Sequence, residues 1–132
     1  MRIGLVIGVV LALGACSSVK QYSGPERKPS EIAIVSKAEG APLTVNSIDG
    51  NFRGLGDLLR LDFLPGRHTL GIHWVNGTDG GGLEYSSVPI MLAFDVQAGR
   101  TYEIKAKAGT GQSWTAWIED TATKEVVSQV VK

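Results

Sequence analysis

The chain contains one cysteine, Cys16, and two histidines, His68 and His73, in 132 residues. A lone cysteine excludes an internal disulfide, even in an oxidising compartment that would permit one. The two histidines lie five residues apart on one predicted strand, so they point to opposite faces and cannot close on a single metal ion. Without a second cysteine, zinc would need carboxylates from distant segments. No metal and no cofactor is expected. An excess of either charge is also lacking, because 13 basic residues balance 13 acidic ones. With no basic cluster, nucleic acid is not an expected partner. No Gly-x-Ser-x-Gly elbow occurs, and no His–Asp spacing suits nucleophile catalysis. Glu84, Asp95, Glu103, Glu119 and Asp120 are the available acids, and their spacing singles out no catalytic pair. Gly80-Gly81-Gly82 follows Asp79 but precedes neither a Lys-Ser or Lys-Thr step nor a helix. It is read as a hairpin loop rather than a phosphate cradle.

What is present begins with Met1-Arg2 and an apolar run from Ile3 to Leu13. Eleven residues span about 16 Å as a helix, against roughly 30 Å of bilayer hydrocarbon. The run is too short to cross a membrane and has the length of a signal-peptide core. Leu13-Gly14-Ala15-Cys16 ends it, with small residues beside the cysteine. This stretch resembles the lipobox of bacterial lipoproteins. The resemblance implies cleavage before Cys16, a diacylglyceryl thioether on its sulfur and an acyl chain on its new amino group. Ser17, in place of an aspartate after the cysteine, implies sorting to the outer membrane. Two or more acyl chains hold a protein stably on a bilayer. Cleavage leaves 117 residues with 12 basic and 13 acidic groups, a net charge of −1, since the segment removed carries only Arg2.

The organisation expected is therefore a signal peptide over residues 1–15, a lipidated cysteine and flexible tether over 16–30, and one domain over 31–132. The tether is polar and contains Gly24, Pro25 and Pro29. Its fourteen residues after Cys16 reach at most about 45–50 Å. Tyr22 and Pro25 offer a way for it to dock back on the domain.

From Glu31 onward the pattern alternates with a period of two. Ile32 and Ile34 oppose Ala33 and Val35, and two apolar faces suit a central strand. Leu43 to Ile48 follows, closed by the turn pair Asp49-Gly50. Leu59, Leu61 and Phe63 make the next strand, ended by Leu64-Pro65-Gly66. Arg67 to Val75 places His68, Leu70, Ile72 and Trp74 on one face. Ser86 to Val96 places Val88, Ile90, Leu92, Phe94 and Val96 on one face, with Pro89 marking an edge or bulge. Tyr102 to Ala108, Trp114 to Glu119 and Glu125 to Val131 complete the series. No apolar set repeats at 3.6 residues, so no helix is expected after the signal peptide.

Ser47-Ile48-Asp49-Gly50, Leu64-Pro65-Gly66-Arg67-His68 and Ala98-Gly99-Arg100-Thr101-Tyr102 resemble the turn motifs of PEGA-like small β domains. The lead-in from Tyr22 to Arg27 is similar to that of a set of Gram-negative lipoproteins. The resemblance implies an all-β chain with a single small antiparallel β-sandwich, PEGA-like or transthyretin-like, of about seven strands. It carries no activity with it.

The function expected is a non-enzymatic, lipid-anchored outer-membrane lipoprotein facing the periplasm. Its membrane contact is the lipid on Cys16, and its role is binding or scaffolding with an envelope protein partner. The alternative is a module that binds envelope glycan or peptidoglycan. Trp114 and Trp117, three apart on a strand, face opposite sides, and the exposed one, with Tyr85 nearby, is the candidate ligand or partner contact. A carboxylate-based hydrolase is the third reading.

Overall fold

The turn at Asp49-Gly50 shows how local sequence becomes architecture. Both residues have positive φ, 49° and 84°, as a two-residue type I′ hairpin requires. Glycine adopts such a φ without steric cost, and a short polar side chain tolerates it. The computed structural model describes residues 18–53, 60–77, 83–111 and 113–131. The expected signal peptide over residues 1–15, Cys16, Leu59 and the Asp79–Gly82 loop lie outside the described residues.

Eleven strands are described: β1 (Ser18–Lys20), β2 (Ala33–Lys37), β3 (Leu43–Ile48), β4 (Asn51–Phe52), β5 (Arg60–Phe63), β6 (Gly66–Gly77), β7 (Leu83–Tyr85), β8 (Ile90–Val96), β9 (Thr101–Ala108), β10 (Trp114–Asp120) and β11 (Ser128–Val130). One 3₁₀ turn, Pro29–Glu31, is the only helical element among the described residues. The chain is all-β, in two sheets. One has the order β1-β5-β2-β9-β10, and the other the order β11-β8-β6-β3-β4, with β7 paired to β6.

The two sheets share one core. Val35, Leu61, Phe63, Tyr102, Ile104 and Ile118 come from the first sheet, and Val45, Leu70, Ile72, Leu92 and Phe94 from the second. Phe63 meets Phe94 edge-on across the layers at 5.7 Å between ring centres, an orientation aromatic pairs favour. Inward residues alternate with outward ones along β10, where Ala116, Ile118 and Asp120 are buried.

Three expectations are corrected. The first sheet is mixed rather than antiparallel, because β1 pairs parallel to β5 and β2 pairs parallel to β9. Alternation along a strand reports its faces and says nothing of its neighbours' direction. The strands number eleven among the described residues rather than about seven, since β1, β4 and β7 are two- or three-residue pairings too short to show a period. Val88 does not line the core. The strand starts after Pro89, and Val88 is 71% exposed. The double-faced apolar pattern at Ala33 to Val35 does mark a central strand, since β2 sits third of five.

The segment read as a tether is partly structured. Its residues Ser18–Lys20 extend the first sheet at the edge of β5, and the Gln21 amide donates to the Asp62 carbonyl at 2.8 Å. Tyr22 then gathers its neighbours. Its hydroxyl accepts from the Arg27 amide at 3.0 Å, and the Lys20 ammonium lies 5.2 Å from its ring centre, a cation–π distance.

The resembling motifs serve the fold. Tyr102 is buried, and its hydroxyl accepts from the Gln97 amide at 2.9 Å, bridging the turn that begins its strand. His68 stacks on Phe63 at 4.3 Å between ring centres.

Candidate functional site

At one end of the two layers, β6, β7, β9 and β10 leave an open groove of about 620 Å³. Its floor is aromatic because two strands from different sheets end there. Trp74 follows His68, Leu70 and Ile72 on the core-facing side of β6. Trp114 starts β10, two residues before buried Ala116. Their ring centres are 5.8 Å apart with planes tilted by 53°. The Trp74 indole nitrogen donates to Asn76 Oδ1 at 2.7 Å, which fixes the ring over its own strand. Tyr85, Ser86 and Val88 form the opposite wall. Tyr85 is held by its pairing with Val75, and the Ser86 hydroxyl accepts from the Trp74 amide at 3.0 Å. No Asp, Glu, Lys, Arg or His lies among the described lining residues. The described lining thus offers aromatic faces, hydroxyls and an amide, all uncharged.

The structure brings two of the three sequence candidates, Trp114 and Tyr85, to this groove and leaves Trp117 elsewhere. Trp117 lies on the outer face of the first sheet, half-buried, and donates from its indole nitrogen to Glu119 Oε2 at 3.0 Å. Trp74 is the functional candidate that sequence reasoning missed. Its face was legible from the alternation of β6, but its partner Trp114 is forty positions away. Cys16 lies outside the described residues.

Ser86 also approaches His73, with the hydroxyl 3.3 Å from Nδ1. That nitrogen sits closer, 2.5 Å, to the Ser86 carbonyl oxygen. A carbonyl only accepts, so Nδ1 carries the proton and donates it there. It therefore has no lone pair for the Ser86 hydroxyl, and the pair is not a nucleophile and base.

Three of the candidate acids, Asp95, Glu119 and Asp120, are held in ion pairs, and the Glu84 side chain lies outside the described residues. Glu119 meets the Lys105 ammonium at 2.7 Å. Hydrogen bonds from Lys105 and Trp117 hold its carboxyl below the usual range. Glu103 is its direct cross-strand partner, with Lys105 also attracted to it. A general acid needs a carboxyl held protonated, and Glu119 is pushed the other way. Asp120, buried on the opposite face, takes the Arg100 guanidinium at 2.8 Å and the amides of Ala122 and Thr123. The Arg100 bond leads in holding its carboxyl low. Asp95 pairs with Arg67 at the surface. Among the described residues no group of three or more His, Cys, Asp and Glu is placed to hold a metal ion.

Comparison with protein-family models, with curated proteins and with solved structures finds no match to this chain. Among the described residues no helix is long and apolar enough to cross a membrane.

Proposed function

We propose that this chain is a lipoprotein of the Gram-negative outer membrane, lipidated at Cys16 and facing the periplasm. Its β domain is read as a PEGA-like sandwich that binds or scaffolds within an envelope assembly and catalyses no reaction. The single observation behind the reading is Leu13-Gly14-Ala15-Cys16 at the end of an eleven-residue apolar run, with no other cysteine in the chain. The domain that follows supports a binding role. Its aromatic groove, uncharged among the described lining residues, can hold a ligand, whereas Glu119 and Asp120 are matched to cations.

The test is Cys16→Ser in cells. The unaltered protein is expected to fractionate with the outer membrane and to carry acyl mass, and the variant to appear soluble in the periplasm. A variant that stays membrane-bound at the unaltered level would show that lipid on Cys16 is not the anchor. In-cell crosslinking of the unaltered protein then identifies the partner, and a discrete envelope protein is the expected capture.

A further inference from the structure

The strand register fixes where the anchor leaves the domain. Ser18 is level with Arg60, Arg60 with Ser36, and Ser36 with Glu103. β9 runs from that level toward the groove, reaching Ala108 opposite Trp114. β2 is parallel to β9, β5 antiparallel to β2, and β1 parallel to β5. β1 therefore runs away from the groove, and Ser18 is the end of that strand nearest the groove. Cys16 is two positions before Ser18, so chain length keeps it within about 7 Å of that strand's start. The fourteen-residue reach of a free tether is not available while β1 is paired.

These spacings orient the domain. From the level of Ser18 to the rim at Ala108 is five residues, roughly 16 Å along the strands. From β1 to β10 is four strand spacings, roughly 19 Å across the sheet. With Cys16 within about 7 Å of Ser18, the rim projects at least roughly 9 Å further than the anchor. A tilt of the sheet places both in one plane.

We propose that the aromatic end of the domain, with Trp74, Tyr85, Val88 and Trp114, rests in the headgroup layer of the membrane that holds Cys16. The inference rests on the lipoprotein reading above and goes on to name the surface the groove end meets. The chemistry fits a lipid interface. Tryptophan and tyrosine settle where one end of the ring is apolar and the other wet. Val88, 71% exposed, and Tyr85, 37% exposed, stand out from the rim. The described lining residues carry no charge, so the contact drawn from them is with the apolar edge of the headgroup layer. Such a contact is weak by itself, but the acyl anchor makes it intramolecular and raises its effective concentration. A neutral glycan would also stack on these rings, but nothing in the register presents a glycan to this end.

The test uses the full lipidated chain in vesicles of phosphatidylethanolamine and phosphatidylglycerol that contain a spin-labelled lipid. Acylation blocks Cys16, so Val88→Cys takes a polarity-sensitive fluorophore selectively. Ala122→Cys, exposed at the far end of β10, is the comparison site. The expected result is a blue shift and loss of most fluorescence at position 88, with neither at 122. Equal quenching at both sites, or none at 88 in vesicle-bound protein, overturns the orientation while leaving the anchor intact. Protein that carries no acyl mass and fails to float with the vesicles overturns the anchor reading and this proposal with it. A tryptophan response to N-acetylglucosamine tetramer, with the label at 88 unquenched by lipid, replaces the membrane contact with a glycan site.

Discussion

Asp49 and His68, nineteen residues apart, close on one another, with Asp49 Oδ2 lying 2.8 Å from His68 Nδ1. The second carboxylate oxygen accepts from the Thr69 amide at 2.8 Å. The other ring nitrogen of His68 is 2.8 Å from the Leu64 carbonyl oxygen. One carboxylate thus ties the β3–β4 hairpin to the turn that begins β6. The two turn motifs legible in the sequence are a single three-dimensional unit.

Asp49→Ala removes both contacts and places a β-carbon with no polar group at a left-handed position. It should destabilise the domain by about 1–3 kcal/mol, the cost of leaving partly buried donors unpaired. Urea unfolding checks this, and an unchanged midpoint would mean that water replaces the carboxylate at no cost.

Acid should weaken the fold through Asp120. Its folded-state carboxyl is held below the ordinary value of 3.8, first by the Arg100 hydrogen bond. A depressed folded value means that stabilisation is fully present above the ordinary value and is lost as pH falls below it. Thermal midpoints should therefore be flat near neutrality and fall below about pH 4. Asp120→Asn should lower the midpoint at neutral pH and flatten the acid slope. A slope as steep as in the unaltered protein would assign acid sensitivity to other carboxylates.

Gly71 is a packing point in β6. A β-carbon there would collide with the Ser47 hydroxyl and come within 2.8 Å of Asn46 Oδ1 and 3.1 Å of Met91 sulfur. The clash falls where β3 shifts register between Val45 and Ser47. Gly71→Ala should cost about 1–3 kcal/mol from overpacking. A denaturation midpoint at or above that of the unaltered protein would show that the bulge yields freely.

The Trp74–Trp114 pair should have its own optical signature. Two indoles at 5.8 Å couple electronically, so circular dichroism of the folded protein should show a paired positive and negative band. Trp114→Phe should abolish it, while Trp117→Phe on the outer face should leave it. Retention in the first variant would separate the two rings in solution.

Seven of the eleven described strands were legible because each alternates for long enough to reveal a buried face, and β11, three residues with none buried, was expected only as part of Glu125 to Val131. Leu61 and Phe63, or Leu92, Phe94 and Val96, announce a strand without any knowledge of partners. The missed ones, β1, β4 and β7, carry no period of their own and exist because a longer strand presents an unpaired edge. The site was half legible for the same reason. Trp114 and Tyr85 stood out as aromatics able to contact a ligand or partner, but the floor of the groove needed Trp74 from the other sheet.

The sequence by itself determined the all-β class, the positions of the turns and the faces of the long strands. These follow from side-chain alternation and from turn chemistry confined to a few adjacent residues, as at Asp49-Gly50. Tertiary structure alone decided that β2 and β9 run parallel, that Asp49 holds His68, and that Trp74 meets Trp114. Each joins segments distant along the chain, and strand pairing uses backbone groups that every residue carries. The choice of neighbour is therefore made by burial of the whole core, which no local stretch encodes.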